Sequence, residues 1–146
     1  MNRPHGANAP LVIPYEPPVP PTSGPRRPYV WLEVRGPSRQ PWPLHALVDS
    51  GADRSIIPGE FASVFGYRVD ELRRGQTVRA LSFSAEGFAA TSPLKATVHG
   101  SSEHEFELDP IYVDGVSFAL LGRRDFFLGW IVTFVEASQA FTLRAA

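Results

Sequence analysis

From Tyr29 onward the chain reads as short runs of β-branched and aromatic residues, broken every few positions by Gly and Pro. That texture predicts an all-β domain. Strands are expected over 29–35, 44–49, 77–84, 88–98, 105–113, 117–121 and 130–135, with a last short one over 140–144. Two brief helical turns are expected over 60–65 and 123–128, the second stopped by Gly129. The run Tyr29-Val30-Trp31-Leu32-Glu33-Val34 mixes its faces. Ala46-Leu47-Val48 and Phe118-Ala119-Leu120-Leu121 are apolar throughout, so these two runs are expected at the centre of the sheet, covered on both faces.

Residues 1–28 have a different pattern. Proline recurs there from Pro4 to Pro28, and each proline removes a backbone donor and fixes φ, so the segment reads as a flexible leader ahead of a domain at 29–146. Pro17 to Pro21 contain P-x-x-P spacings of the kind that dock in aromatic grooves, which a plain extended leader also produces. Leu11-Val12-Ile13, between Pro10 and Pro14, is the one stretch there able to form a short strand.

Composition narrows the function classes. With 146 residues the chain suits one domain with a core that needs no staples, and the absence of cysteine excludes disulfides and thiolate metal sites. Fourteen basic against 15 acidic side chains leave no cationic surplus for a nucleic-acid backbone. No apolar run is long enough for a membrane span, and the first residues lack the apolar core of a secretory signal, so a cytoplasmic protein is expected.

The chemistry concentrates where Ala46-Leu47-Val48 ends in Asp49-Ser50-Gly51-Ala52-Asp53. A carboxylate at the end of a core strand must be paired, hydrogen-bonded or protonated, and each condition perturbs its acidity in the way acid–base catalysis exploits. The same tetrapeptide serves equally as a turn cap, since Asp commonly closes a turn and Gly51 lets it bend tightly. On those residues alone both roles stay open.

The wider segment ALVDSGADRSIIP resembles the active-site loop of retropepsin-like aspartic proteases, and LLGRRDFF at 120–127 resembles the second signature of that family. RPYVWLEVRG at 27–36 is similar to the family's first core strand, and LSFSAEGFAATS at 81–92 lies where its flap hairpin falls. The resemblance spans about residues 27–144 and is loose between Pro58 and Gln76. It implies a closed acid-protease barrel with one short C-terminal helix, working as a homodimer, because the chain has one D-[ST]-G loop where two-lobed relatives have two.

The resemblance further implies an aspartic endopeptidase acting on peptide or protein substrates without metal or cofactor. Asp49 and its copy across a two-fold axis would share a proton and activate water. Ser50, Gly51 and Ala52 would support the loop. Asp53 would pair with Arg123, and Arg27 would reach Asp53 of the other subunit. Ser84, Ala85, Glu86, Gly87 and Phe88 would form the flap, with Glu86-Gly87 at its tip. Pro20-Pro21-Thr22-Ser23-Gly24-Pro25 occupies the place of the N-terminal strand that knits retroviral dimers, so dimerisation is expected to rest on residues 139–144, the Asp loops, the flaps or a rerouted leader. The competing reading keeps the fold without the chemistry: a catalytically silent dimerisation or peptide-binding module with a structural Asp49.

Other constellations carry less. His99, Glu103, His104, Glu105, Glu107 and Asp109 lack the spacing of a zinc motif and read as a solvated strand face. His45 shares a strand face with Asp49, but at roughly 13 Å along an extended chain it is out of contact. There is no G-x-S-x-G elbow, P-loop or G-x-G-x-x-G.

Overall fold

The computed structural model describes residues 9–18, 24–80 and 83–146. In chain order these form β1 (Leu11–Pro14), β2 (Tyr29–Arg35), β3 (Trp42–Val48), β4 (Ile56–Pro58), α1 (Phe61–Val64), β5 (Leu72–Ala80), β6 (Phe83–Ala90), β7 (Leu94–Val98), β8 (Ser101–Leu108), β9 (Ile111–Val113), β10 (Leu120–Leu121), α2 (Phe126–Gly129), β11 (Trp130–Val135) and β12 (Ala140–Ala145), with 3-10 turns at Val69–Glu71 and Glu136–Ser138. No helix among the described residues is long and apolar enough to cross a membrane.

The strands form a nine-stranded sheet in the order β5-β6-β9-β4-β10-β3-β2-β7-β8 and a three-stranded sheet in the order β1-β12-β11. The expected closed barrel is corrected here: β5 and β8, at the two ends of the larger sheet, do not pair with each other. Closure needs a continuous ladder with a consistent stagger. The middle of this sheet is made of β4, β9 and β10, which are only two or three residues long. Such short ladders curve the sheet around a core without closing it.

β2 and β11 have the limits the sequence predicts, and two expected strands are each divided by a proline. Ser92-Pro93 separates β6 from β7, and Asp109-Pro110 separates β8 from β9, because proline lacks the N–H that a ladder needs. The expected strand over 77–84 runs through a hairpin connection instead, since Ala80 faces Phe83 across the β5–β6 pair.

Within the leader, the stretch that the sequence marks as able to form a strand does so. β1 pairs antiparallel with β12, with Leu11 opposite Leu143 and Ile13 opposite Phe141. Tyr15 follows as a core residue, 3% exposed, its hydroxyl donating to Glu136 at 2.7 Å. Burial, then that hydrogen bond, push the Tyr15 hydroxyl up to about 12. Glu16 and Arg27 then exchange backbone hydrogen bonds of 2.9 and 2.8 Å. Proline composition argues against ladders only at positions that must donate, and Leu11 and Ile13 are free to do so. Part of the P-x-x-P stretch, and residues 20–23 of the segment set against the retroviral strand, lie outside the described residues.

The main core joins both sheets, with Leu32, Val34, Leu94, Leu108, Phe126 and Phe141 fully or almost fully buried. A second cluster of Ile56, Val78, Ile111, Val113 and Leu120 lies between the β5–β6 hairpin and the centre of the large sheet. Burying such side chains contributes roughly 1.5–3 kcal/mol each, which fixes the strands that carry the Asp49 loop.

Candidate active site

The position of Asp49 follows from an interruption in strand order. β3 and β4 are consecutive in the chain yet do not pair; β10 lies between them, parallel to β3 and antiparallel to β4. The connection from Asp49 to Ser55 must therefore pass over the end of β10. Ala46 and Val48 are buried and Leu47 is partly so, consistent with a central strand, whereas Phe118, expected to be covered, precedes β10 and is 39% exposed. The run 118–121 reaches the sheet interior only at Ala119.

At the end of β3 the Asp49 N–H donates to the Leu121 carbonyl at 3.0 Å. Its Oδ1 accepts from the Gly51 N–H at 2.9 Å, and its carbonyl accepts from the Ala52 N–H at 3.2 Å. The loop is thus a turn closed by Asp49, and the carboxylate remains partly exposed with Oδ2 outside this bond. Of the two roles left open by the sequence, the turn-closing one is seen directly in these bonds. Ser50 is exposed, Gly51 partly buried and Ala52 fully buried.

The base of the loop is held by the segment after β10. Arg123 N–H donates to the Ala52 carbonyl and Arg124 N–H to the Asp53 carbonyl, both at 3.0 Å. Gly122 allows this approach, because a Cβ there would meet the Arg54 backbone, with its carbonyl oxygen at 2.6 Å. Ser55, the fully buried polar residue of the core, accepts from the Gly122 N–H at 3.0 Å and donates to Asp125 Oδ1 at 2.6 Å. Asp125 also accepts from the N–H of Phe126 at 2.7 Å, capping α2, and from that of Asp109 at 3.0 Å. Burial raises the Asp125 carboxyl above its ordinary value, while the hydrogen bonds from Ser55, Phe126 and Asp109 hold it back.

Ser55 and Asp125 were not singled out by sequence reasoning. The available signals were a hydroxyl set directly before the apolar pair Ile56-Ile57 and an Asp directly before a short helix, the ordinary place of a capping residue.

The expected Asp53–Arg123 ion pair is absent within the chain: both side chains are exposed, and the salt bridges among the described residues involve other groups. Backbone bonds already join the two segments, and an exposed pair adds only about 0–1 kcal/mol. Arg54 supplies the side-chain tie, with Nη2 donating to the Asp109 carbonyl at 3.1 Å and lying 3.5 Å from Asp109 Oδ2. Arg27 is exposed. Tyr29 faces Leu47 and the Pro28 carbonyl accepts from the Val48 N–H, so Arg27 is level with Asp49.

The expected hairpin tip is corrected. Ser84, Ala85, Glu86, Gly87 and Phe88 form one arm of the β5–β6 hairpin, with Glu86 opposite Thr77 and Gly87 opposite Gln76, so Glu86-Gly87 is not the tip. The chain reverses between Ala80 and Phe83, and Leu81 and Ser82 lie outside the described residues. Gly87 is needed for close approach, because a Cβ there would collide with the Tyr112 carbonyl of β9. Phe88 is a core residue stacked on Tyr112 at 5.7 Å. The hairpin nevertheless adjoins the loop, with Asp53 N–H donating to the Arg79 carbonyl at 3.2 Å.

His45 stacks on Tyr29 and lies 3.0 Å from Glu16, away from Asp49's hydrogen bonds. In the acidic region, Glu107 pairs with Lys95 at 2.8 Å, and His104 packs edge-on against Trp130.

No protein-family model matches the sequence. No curated protein matches it either. Solved structures of similar shape include a retropepsin-like aspartic protease from Rickettsia conorii, with a TM-score of 0.62 and 17% identity over 94% of this chain and 91% of that one. Another is EIAV protease complexed with the inhibitor HBY-793, with a TM-score of 0.49 and 20% identity over 70% of this chain and 86% of that one. The likeness to the Rickettsia protein shows that this chain has a retropepsin-like fold.

Proposed function

We propose that the protein is an aspartic endopeptidase whose active site forms when the Asp49 loops of two copies meet across a two-fold axis. The observation that supports this most directly is the Asp49 carboxylate itself: partly exposed, set at the end of a buried strand, oriented by the Gly51 N–H, and carried on a loop tied at its base to residues 123 and 124. A loop braced in this way holds its carboxylate still, which general acid–base catalysis needs.

Two such carboxylates close together cannot both ionise, and they share one proton. The ionised member takes a proton from a bound water as the water oxygen attacks the peptide carbonyl carbon. The protonated member gives its proton to the carbonyl oxygen, yielding a tetrahedral diol. Collapse of the diol breaks the C–N bond, with the departing amine taking a proton from the dyad and a diol hydroxyl returning one to it. Ser50 braces the opposite loop, and the β5–β6 hairpin, adjoining the site through Arg79, covers an extended peptide.

Digestion of a peptide library by wild type and Asp49→Asn, read by mass spectrometry from pH 4 to 8 at several protein concentrations, tests the proposal. Cleavage by wild type alone, rising faster than linearly with concentration, is expected, with Asn reducing the rate by about 10²–10⁴-fold. If the folded dimer cuts nothing, the reading passes to a peptide-binding module.

A further inference from the structure

Basic and acidic side chains nearly cancel over the whole chain, 14 against 15, yet the fold does not mix them evenly. In the order of the larger sheet, β5 and β8 lie at opposite ends. Glu103, Glu105 and Glu107 are exposed on β8, whereas Arg73, Arg74 and Arg79 are exposed on β5. The Asp49 loop adjoins the arginine end, because the Asp53 N–H donates to the Arg79 carbonyl. Three more exposed arginines are set around the same loop by backbone bonds. Arg27 is level with Asp49, and the N–H groups of Arg123 and Arg124 are held by the carbonyls of Ala52 and Asp53.

The neighbouring carboxylates do not balance them. Glu16 exchanges backbone bonds with Arg27 but turns its Oε2 to His45 at 3.0 Å. Asp125 is committed to Ser55, Phe126 and Asp109, and Asp109 to Arg54. Glu86, on β6, stands opposite Thr77, while Arg79 stands opposite Ser84. Asp53 is left, and no salt bridge among the described residues includes Arg27, Arg79, Arg123 or Arg124. If Arg27 takes Asp53 of the other subunit, as the family resemblance implies, Arg79, Arg123 and Arg124 are still unbalanced.

Arg123 and Arg124, with Asp53 and Leu128, line an open cavity of about 570 Å³ beside the loop. We propose that Arg79, Arg123 and Arg124 select peptides carrying Asp or Glu side chains on the flanks of the scissile bond. The bond from Ala52 N–H to the Asp49 carbonyl makes residues 49–52 a tight turn, whose ends are within roughly 7 Å of each other. An extended peptide advances roughly 3.3 Å per residue, so side chains a few residues from a bond held at Asp49 come within reach of these arginines. A guanidinium stays charged and offers a planar fork that matches a carboxylate. Leu128, 73% exposed, gives an apolar wall for the methylenes of a glutamate.

Complementary charge speeds encounter with acidic peptides, and like charge turns away those flanked by Lys or Arg. A nucleic-acid backbone fits less well: it carries a charge at every step and would run across Asp49 and Asp53, whereas a peptide is charged only where its side chains are. The inference rests on the proposed function for the cleavage and not for the binding.

Two peptide libraries with the same randomised apolar centre, one flanked on both sides by Glu and the other by Lys, test this. Wild type is expected to cut the Glu library about tenfold faster than the Lys library, with the gap closing as salt is raised. Arg123→Glu with Arg124→Glu should reverse the order, and Arg123→Lys with Arg124→Lys should keep it. Arg79→Glu, on a different element, should narrow the gap and gives the reading if the double Glu variant does not fold. Equal cutting of both libraries, or a gap that these Glu changes leave unmoved, overturns the inference and leaves the protease reading standing. If nothing is cut, binding of the fluorescent libraries to Asp49→Asn, read by anisotropy, decides. Tighter binding of the Glu library, lost on Arg123→Glu with Arg124→Glu, keeps the selection and removes the protease reading. No difference in binding, or a poly-dT oligonucleotide held more tightly than the Glu library, overturns the inference.

Discussion

The base of the Asp49 loop and the edge of the three-stranded sheet are joined by one short helix, yet they are completed in opposite ways. Around Ser55 the polar side chains are partnered inside the chain: the Ser55 hydroxyl accepts from Gly122 and donates to Asp125, which also accepts from Asp109 and Phe126, at 2.6–3.0 Å. At β11 the Val132 and Phe134 backbone groups face outward beside exposed Ile131 and Val135. A catalytic carboxylate needs a support that does not move, which only intramolecular packing and bonding provide. The open edge is the reverse, with backbone groups and apolar side chains turned outward. The molecule therefore combines a loop base completed within the chain and a sheet with an open edge among the described residues.

That contrast can be broken most severely at Gly122. Gly122→Ala drives a methyl into the Arg54 backbone and is expected to destabilise the fold by about 3 kcal/mol, measured by urea unfolding, with loss of the Asp49 loop geometry. Next is Ser55→Ala, which leaves the Gly122 N–H unpaired and removes the hydroxyl donor to Asp125. About 2 kcal/mol should be lost at neutral pH.

The pH dependence of stability sharpens the comparison. In the fold Asp125 is raised above its ordinary 3.8, so the folded state holds its proton longer than the unfolded chain. Its contribution is greatest below 3.8 and declines as pH rises through the raised value. Ser55→Ala removes a hydrogen bond to the charged form and should move that decline to higher pH, visible in unfolding midpoints from pH 3 to 7.

The small sheet has its own titration. Tyr15 is raised from 10.0 to about 12, so its contribution is complete below 10 and is lost as pH climbs toward 12. Tyr15→Phe should cost about 1 kcal/mol at pH 7 and flatten the alkaline part of the curve, with exchange accelerated in β1 before the large sheet. The smallest effect is expected from Arg123→Ala. Its side chain makes no salt bridge among the described residues, so stability should stay within about 0.5 kcal/mol of wild type.

Several features were legible along the chain because they depend on near neighbours. The alternation and β-branching of Tyr29–Arg35 and Trp130–Val135 mark strands whose limits the structure reproduces. The apolar run ending in Asp-Ser-Gly marks a turn at the end of a core strand, and that turn is where the structure places it. Glu86-Gly87 misled because a glycine in a strand signals either a turn or a close approach. Only the position of Tyr112, distant in sequence, decides which. The strand at Leu11–Pro14 fits within a proline-rich leader because proline content averages over residues, whereas a ladder depends on which individual positions must donate.

The sequence alone thus determined the all-β character, the turn at Asp49 and the segments able to be strands, since these follow from local conformational preference and from the cost of ending a buried strand on a carboxylate. Tertiary structure decided which strands are neighbours: β10 between β3 and β4, β1 beside β12, and β11 left at an open edge. Those pairings are non-local. Their free energy appears only when distant segments meet and the entropy of closing the intervening chain has been overcome, so local pattern does not carry them.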